Sequence, residues 1–160
     1  MKKILPLFLA FLLLAGCKVK DYTPEIPVSF EQNAEVTVGD FTYTCRICKS
    51  EEEVVVSVTS TSAENMIMRY NGQNLTFLYD DFSYDIDGSN FERENIAIVI
   101  YEAFDYITNT QELNVRKIDS GFKYEGKISC GDFILIQNDD NSFASLALRN
   151  GELSVKFNDV

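Results

Sequence analysis

The chain has 160 residues, and 25 acidic against 14 basic residues give it a net charge of −11 at pH 7. We expect no nucleic-acid partner, because phosphate contacts need Lys and Arg in excess. The sequence contains no histidine. This excludes Ser-His and Cys-His catalysis as well as every zinc site that uses a histidine ligand.

The N-terminus has the layout of a secretory signal. A basic start, Met1-Lys2-Lys3, precedes an apolar run from Ile4 to Leu14. Small residues and Cys17 follow the run. A helix needs about 20 apolar residues to cross a bilayer. The run is shorter than that, so the pattern predicts a cleaved signal and not a lasting transmembrane anchor.

The tetrapeptide Leu14-Ala15-Gly16-Cys17 resembles the lipobox of bacterial lipoproteins. The resemblance implies that residues 1–16 are removed and that Cys17 carries a diacylglycerol on its sulfur. The protein would then be exported and anchored through Cys17 to the outer face of the cytoplasmic membrane, or to an outer membrane if the host has one. Lys18 stands where an Asp would imply retention in the inner membrane. The alternative is an ordinary signal peptide with Cys17 a chance neighbour.

Residues 17–33 predict a lipid-anchored spacer, because they are polar, hold two prolines and show no clear period. The alternative is a short first strand that uses Val28 and Phe30. Removal of residues 1–16 leaves 144 residues with a net charge of −13. That length suffices for a single domain with its own core.

From Ala34 onward the pattern is that of short β-strands, with apolar and polar residues in alternation. A phase slip at Gly39-Asp40, between two alternating runs, predicts a β-bulge or a sharp bend. Asn71-Gly72 predicts a hairpin turn, since both residues tolerate positive φ, and Asp80-Asp81 predicts another turn. The alternating runs up to this point are 36–38, 41–47, 54–58, 66–70, 75–79 and 82–86.

The period then changes to that of a helix. Apolar residues recur at helical spacing between Ile96 and Ile107, and Ser89 with Glu92 can form a capping box. We predict a helix over residues 91–108, buried around most of its circumference. Strands resume after it, with a turn at Cys130-Gly131-Asp132 and a second hairpin turn at Asn150-Gly151.

About ten strands joined by short turns predict antiparallel neighbours, and so many twisted strands curl rather than stay flat. The predicted fold class is α+β. We expect a strongly curved antiparallel β-meander of about ten strands, an unclosed half-barrel, with one helix packed on its concave face. Residues 34–160 would form this single domain.

This layout resembles the LolA/LppX-like group of envelope proteins, and small lipoproteins of Clostridia-type bacteria in particular. The likeness is carried by Gly39–Tyr43, by the helix from Ile96 to Tyr106, and by the run from Gly131-Asp132-Phe133 to Gly151–Val155. In that group the half-barrel holds acyl chains between sheet and helix. LolA itself is a soluble carrier, whereas this chain has one helix and a predicted anchor. Because the chain departs from LolA in these respects, we expect fixed binding or local presentation and not a mobile carrier.

Three cysteines remain once Cys17 is assigned to lipid. Cys45 and Cys48 invite a redox interpretation, but residues three apart on a strand point to opposite faces. We expect Cys45 to face inward and Cys48 outward. With Cys130 the count is odd, so at most one disulfide forms inside the chain, and the sequence does not choose the pair.

No motif for catalysis or metal binding is complete. Asp85–Ser89 hints at a calcium loop, but the positions that need Gly and Glu hold Asn90 and Ile96. Neither a nucleophile elbow nor a glycine-rich phosphate loop occurs. We expect a protein that is not an enzyme and needs no cofactor or metal.

The remaining candidates are apolar residues that would line a cavity between sheet and helix and take a lipid or other apolar ligand. They are Met66, Met68, Phe77, Tyr79, Phe82, Tyr84, Ile100, Phe104, Phe122 and Tyr124. The alternative is a structural or protein-interaction lipoprotein with a solid core and no ligand cavity. An envelope protein would then be the partner.

Overall fold

The computed structural model describes residues 24–91 and 94–158. The predicted signal peptide, the lipidation site Cys17 and residues 18–23 of the predicted spacer lie outside the described residues. No helix within the described ranges is long and apolar enough to cross a membrane.

Eleven strands and one α-helix lie within the described residues. The first six strands are β1 Phe30–Val38, β2 Phe41–Lys49, β3 Val54–Val58, β4 Ile67–Tyr70, β5 Asn74–Tyr79 and β6 Phe82–Asp87. A short 3-10 turn, Gly88–Asn90, and helix α1, Ile96–Asn109, follow. The last five strands are β7 Asn114–Ile118, β8 Gly121–Ile128, β9 Gly131–Asn138, β10 Phe143–Leu148 and β11 Leu153–Asn158.

All strands belong to one sheet in the order β6-β5-β4-β3-β2-β1-β11-β10-β9-β8-β7. The chain starts in the middle, runs outward to the edge at β6, crosses to the opposite edge through α1, and returns from β7 to β11. There β11 pairs with β1 in antiparallel register, as Val36 opposite Val155 shows. The two ends of the sheet do not meet. This confirms the predicted class, an unclosed antiparallel sheet with one helix, with eleven strands in place of about ten.

Helix α1 packs against β3, β4 and β8. Eight of its fourteen residues are buried, as its nearly continuous apolar pattern predicts. Gly126 on β8 makes the close approach possible, because a Cβ there would lie 2.6 Å from the Phe133 ring and collide with Tyr106 as well. The sheet and the helix thus share one core.

The helix begins later than predicted. Asn95 is its N-cap, and the Asn95 side chain accepts a hydrogen bond from the Ala97 N–H at 2.9 Å. Ser89 instead belongs to the 3-10 turn, where its N–H donates to the Asp87 carboxylate. The prediction of a helix start at residue 91 was therefore wrong by five residues, since two side-chain caps compete in this stretch and the second one wins.

Two features of the first hairpin agree with alternatives that the sequence left open. β1 begins at Phe30 and therefore includes residues 30–33 of the predicted spacer. This agrees with the alternative prediction of a strand that uses Phe30. The phase slip at Gly39-Asp40 is a two-residue hairpin turn and not a bulge, since Val38 pairs with Phe41 across it. Gly39 has a φ of 56°, a conformation that suits glycine at a tight turn.

Candidate functional site

The interface between helix and sheet is occupied by side chains. Ile96 and Ile100 are 2% and 0% exposed. The Phe104 ring lies 5.1 Å from that of Phe30 and 4.8 Å from that of Phe143, centroid to centroid. Aromatic pairs at these separations are favourable contacts in their own right. This part of the concave face is therefore a packed core.

The ten residues predicted to line a cavity fall into two groups. Five of them are buried in the core between helix and sheet: Met68, Ile100, Phe104, Phe122 and Tyr124. The other five lie toward the β6 edge of the sheet, where α1 does not reach: Met66, Phe77, Tyr79, Phe82 and Tyr84. Of these five, Met66 and Phe77 are partly buried against the core, and Tyr79, Phe82 and Tyr84 are exposed.

We call Phe77, Tyr79, Phe82 and Tyr84 the aromatic shelf. Tyr79 pairs with Phe82 and Phe77 with Tyr84 across β5 and β6, so all four side chains share one face of the sheet. Phe77 also pairs with the buried Met68 of β4, which identifies this face as the concave one. Phe82 is 81% exposed, Tyr84 66% and Tyr79 43%. The shelf is the concave face continued beyond the helix.

Local sequence explains why the shelf is open. The chain leaves β6 through the 3-10 turn Gly88–Asn90, and Phe91 returns over β5, where its ring lies 6.0 Å from that of Phe77. Helix α1 starts only at Ile96 and runs over β3 and β4 toward β8. Phe77 is consequently half-buried, while the rest of the shelf has no layer above it among the described residues.

A cleft of about 880 Å³ lies beside the N-terminal half of the helix. Its walls include Tyr70, Phe91, Glu94, Glu102 and Cys130, together with the turn before β5 and the 3-10 turn that follows β6. Gly72 and Gly88 border the cleft at points where neighbouring side chains leave no room for a Cβ. A Cβ on Gly88, for example, would lie 2.5 Å from the Tyr70 ring. These glycines are the sequence signal for the cleft, which the search for apolar residues missed.

The polar groups of this cleft serve structural roles. The Glu102 carboxylate accepts hydrogen bonds from the Ser129 N–H at 2.9 Å and from the Ser129 Oγ at 2.7 Å. Burial raises the pKa of the neighbouring Cys130 thiol, which keeps it in the unreactive protonated form. Glu94, through a side-chain hydrogen bond and its charge, raises the pKa of Glu152. The cleft thus presents acidic groups and no activated nucleophile.

The other two thiols follow the strand pattern. Cys45 is 1% exposed, and burial raises the pKa of its thiol to about 12. Cys48 lies on the opposite face, with its Sγ 3.6 Å from the Glu31 carboxylate. All three described cysteines are free thiols. Within residues 24–91 and 94–158, no group of three or more Cys, Asp or Glu side chains could hold a metal ion.

A second feature that the sequence did not indicate is a charge cluster around Glu125 on β8. The side chain of Glu125 is only 10% exposed. Its carboxylate forms ion pairs with Lys123, Arg149 and Arg116 at N···O distances of 2.6, 2.8 and 3.1 Å. The Lys123 hydrogen bond and the charges of all three cations lower the pKa of Glu125 to about 2. The cluster joins β7, β8 and the turn after β10.

The chain matches no protein-family model and no curated protein. It is similar to a chain in the structure of the CwlD amidase from Clostridioides difficile in complex with the GerS lipoprotein, with 14% identity, a TM-score of 0.48, and coverage of 100% of this chain and 95% of that one. It is also similar to a LolA superfamily protein from Nitrosomonas europaea, with 14% identity, a TM-score of 0.41 and 86% coverage of both chains. Similarity at this level concerns the course of the backbone and not the residues of a site.

Proposed function

We propose that this chain is an exported lipoprotein, anchored to a membrane through Cys17, whose domain is a non-catalytic interaction module that binds a partner protein on the aromatic shelf. The observation that carries the proposal is the exposure of Phe82 and Tyr84, 81% and 66%, side by side on an edge strand. Burying a Phe side chain contributes about 1.5–3 kcal/mol. A partner that covers the shelf gains most of this contribution at Phe82, the most exposed of the rings.

The chemistry of the shelf fits a protein interface. Aromatic side chains are enriched among the residues that dominate binding energy at such interfaces. A small-molecule site normally encloses most of its ligand, whereas the shelf lies open along its outer side. The packed interface around Phe104 also supports the alternative with a solid core over the one with a cavity beneath the helix.

The non-catalytic part of the proposal rests on the side chains available. The chain has no histidine. The described cleft offers carboxylates and Cys130, a thiol whose pKa is raised by burial. Catalysis by general acid and base or by a nucleophile needs groups whose pKa values are tuned toward activity, and a raised thiol pKa has the opposite effect.

The test is cross-linking in the cell of origin with a photoreactive phenylalanine analogue placed at position 82 or 84. The matched control places the analogue at Phe41, an aromatic residue that is 55% exposed on a different hairpin. We expect a discrete protein adduct at 82 and 84 and none at 41. Identical patterns at all three positions would remove the support for the shelf as an interface.

A second candidate function is the binding of a lipid or other apolar ligand. It is favoured by the exposed side chains of Tyr79, Phe82 and Tyr84, which adjoin the partly buried Met66 and Phe77. The ligand would lie against the shelf, beside the helix rather than beneath it. In the same experiment, a mass increment of lipid size at positions 82 and 84 would select this function over the protein interface.

The anchor is tested separately, since it does not depend on the shelf. We expect the full chain to incorporate labelled fatty acid and to fractionate with membranes. The Cys17→Ala variant should lose the label and appear in the soluble fraction. Retention of the label in that variant would show that Cys17 is not the lipidated residue.

A further inference from the structure

The sheet ends at β6, and the hairpin register identifies which of its backbone groups face outward. The Gly88 N–H donates to the Gln73 carbonyl at 2.7 Å, and pairs in an antiparallel ladder alternate between bonded and non-bonded. Phe82, Tyr84 and Ile86 therefore bond to β5. Ser83 and Asp85 direct their N–H and C=O groups away from the sheet. No strand lies beyond them in the described part of the chain.

The two faces of this edge differ in chemistry. Phe82 and Tyr84 are on the concave face, whereas Ser83, Asp85 and Asp87 project to the other side. Residues 71–91 contain four Asp and no Lys or Arg. Asp side chains are ionised at neutral pH, and hydrogen bonds from Ser89 lower the pKa of Asp87 further. The edge thus offers unpaired backbone groups between an aromatic face and an anionic face.

We propose that β6 binds its partner by strand addition, and that the added segment alternates apolar residues with Lys or Arg. This rests on the proposed function, because it assigns a binding mode and a partner chemistry to the same shelf. Backbone hydrogen bonds to Ser83 and Asp85 would give affinity, and side chains on alternate faces would give specificity. The apolar residues would cover Phe82 and Tyr84, and the basic residues would lie beside Asp85 and Asp87.

The charges also argue against another occupant, a second copy of this chain. Pairing β6 with β6 would bring two sets of the same aspartates together, and like charges at close range oppose such pairing. An alternative role for the same aspartates is to prevent association at this edge, because natural sheets often place charges on edge strands for that purpose. An edge whose charges only prevent association excludes added strands in general, whereas a binding edge accepts a strand that carries basic residues.

The probe is the peptide acetyl-Lys-Val-Lys-Phe-Lys-Val-Lys-amide, offered to the full-length lipidated chain in phosphatidylcholine nanodiscs. A peptide of the same composition in block order, with its four lysines together, controls for plain charge attraction. Binding is measured by fluorescence anisotropy at low and high salt, and amide hydrogen exchange reports the N–H groups of Ser83 and Asp85.

The decisive variant is Ser83→Pro, with Ser83→Ala as its matched control. Proline removes an outward N–H that the β5–β6 ladder does not use, and edge strands tolerate it there. We expect Ser83→Ala to bind like the wild type and Ser83→Pro to bind about tenfold more weakly. In the wild type, the amides of Ser83 and Asp85 should become protected when the peptide binds.

The other variants separate the two proposals. If Phe82→Ser weakens binding while Ser83→Pro does not, the shelf stands and strand addition is overturned. If Phe82→Ser binds like the wild type, the shelf itself loses its role. Asp85→Asn should weaken binding and reduce its salt dependence, and an unchanged affinity would overturn the basic character of the partner. A dimer of the chain that Ser83→Pro abolishes would show self-pairing instead.

Discussion

Glu125 shows how one residue can connect distant parts of the sheet. Its carboxylate contacts Arg116 on β7, Lys123 on β8 and Arg149 after β10, so three elements share a single anion. The Glu125 side chain is 10% exposed, whereas those of Arg116 and Arg149 are 67% and 50% exposed, so water screens part of the attraction. Arg149 lies 24 residues from Glu125 in the sequence and Arg116 nine, so no local pattern indicates the whole cluster.

We predict that Glu125→Gln lowers the Tm by several degrees at pH 7 and that this difference disappears in acid. The folded-state pKa of Glu125 is about 2, below its ordinary value of 4.5. Its contribution to stability is therefore complete above pH 4.5 and is lost as the pH falls toward 2. Urea unfolding between pH 7 and 2.5 measures it, with the exposed Glu35→Gln as control. A constant difference across this range would contradict the assignment.

The three described thiols allow a second prediction. Thiolates are the reactive form, and burial raises the pKa of Cys45 to about 12. With iodoacetamide at pH 8, we expect slow alkylation of Cys48 and Cys130 in the folded protein and alkylation of Cys45 only in denaturant. Peptide mass spectrometry reads each site separately. Rapid native alkylation of Cys45 would show that its strand opens.

At the scale of elements, the close contact between α1 and β8 depends on Gly126. A Cβ at this position would collide with the rings of Tyr106 and Phe133. Overpacking of this kind costs typically about 1–3 kcal/mol. We predict that Gly126→Ala lowers the free energy of unfolding by that amount, as measured with urea.

A second substitution tests the cause. Tyr106→Leu shortens the side chain of α1 that would meet the new methyl group. In the Tyr106→Leu background, Gly126→Ala should therefore cost less than it does alone. Equal costs in the two backgrounds would place the effect at the Phe133 ring or in the strand backbone of β8.

Most elements could be predicted from the sequence because their signals are local. Alternation identified the strands, Asn71-Gly72 and Asn150-Gly151 marked turns, and the helical period located α1. The start of α1 could not be predicted, since Ser89 and Asn95 are both competent caps. Asn95 is the N-cap in the structure, where its amide also donates to the Met68 sulfur at 3.4 Å. That contact exists only after the sheet has formed.

At the scale of the whole molecule, the predicted lining set was half core and half surface. Met68 and Phe77 pair directly across β4 and β5, yet one lies beneath the helix and the other at its margin. Periodicity reports which face of a strand is apolar. It does not report how far along the sheet the helix extends, and that decides whether an apolar face becomes core or shelf.

The strand order implies a final prediction, because the last strand joins the two halves of the sheet. β11 pairs with β1 on one side and β10 on the other, and Leu153, Val155 and Phe157 are 0%, 1% and 6% exposed. Each buried side chain contributes about 1.5–3 kcal/mol, so the three together rival the about 5–15 kcal/mol that holds a domain folded. Termination after Asn150 should therefore abolish the cooperative thermal transition of the whole domain.

Circular dichroism and dispersed amide NMR signals measure this loss, and removal of residues 159–160 alone is the control. The meander β1–β6 lacks the helix cover that only the complete sheet positions, and β7–β10 would lose its connection to β1. Neither half should persist alone. If the truncated chain keeps a cooperative transition, the first six strands form an independent unit, and the unity of the sheet does not depend on the pairing of β1 with β11.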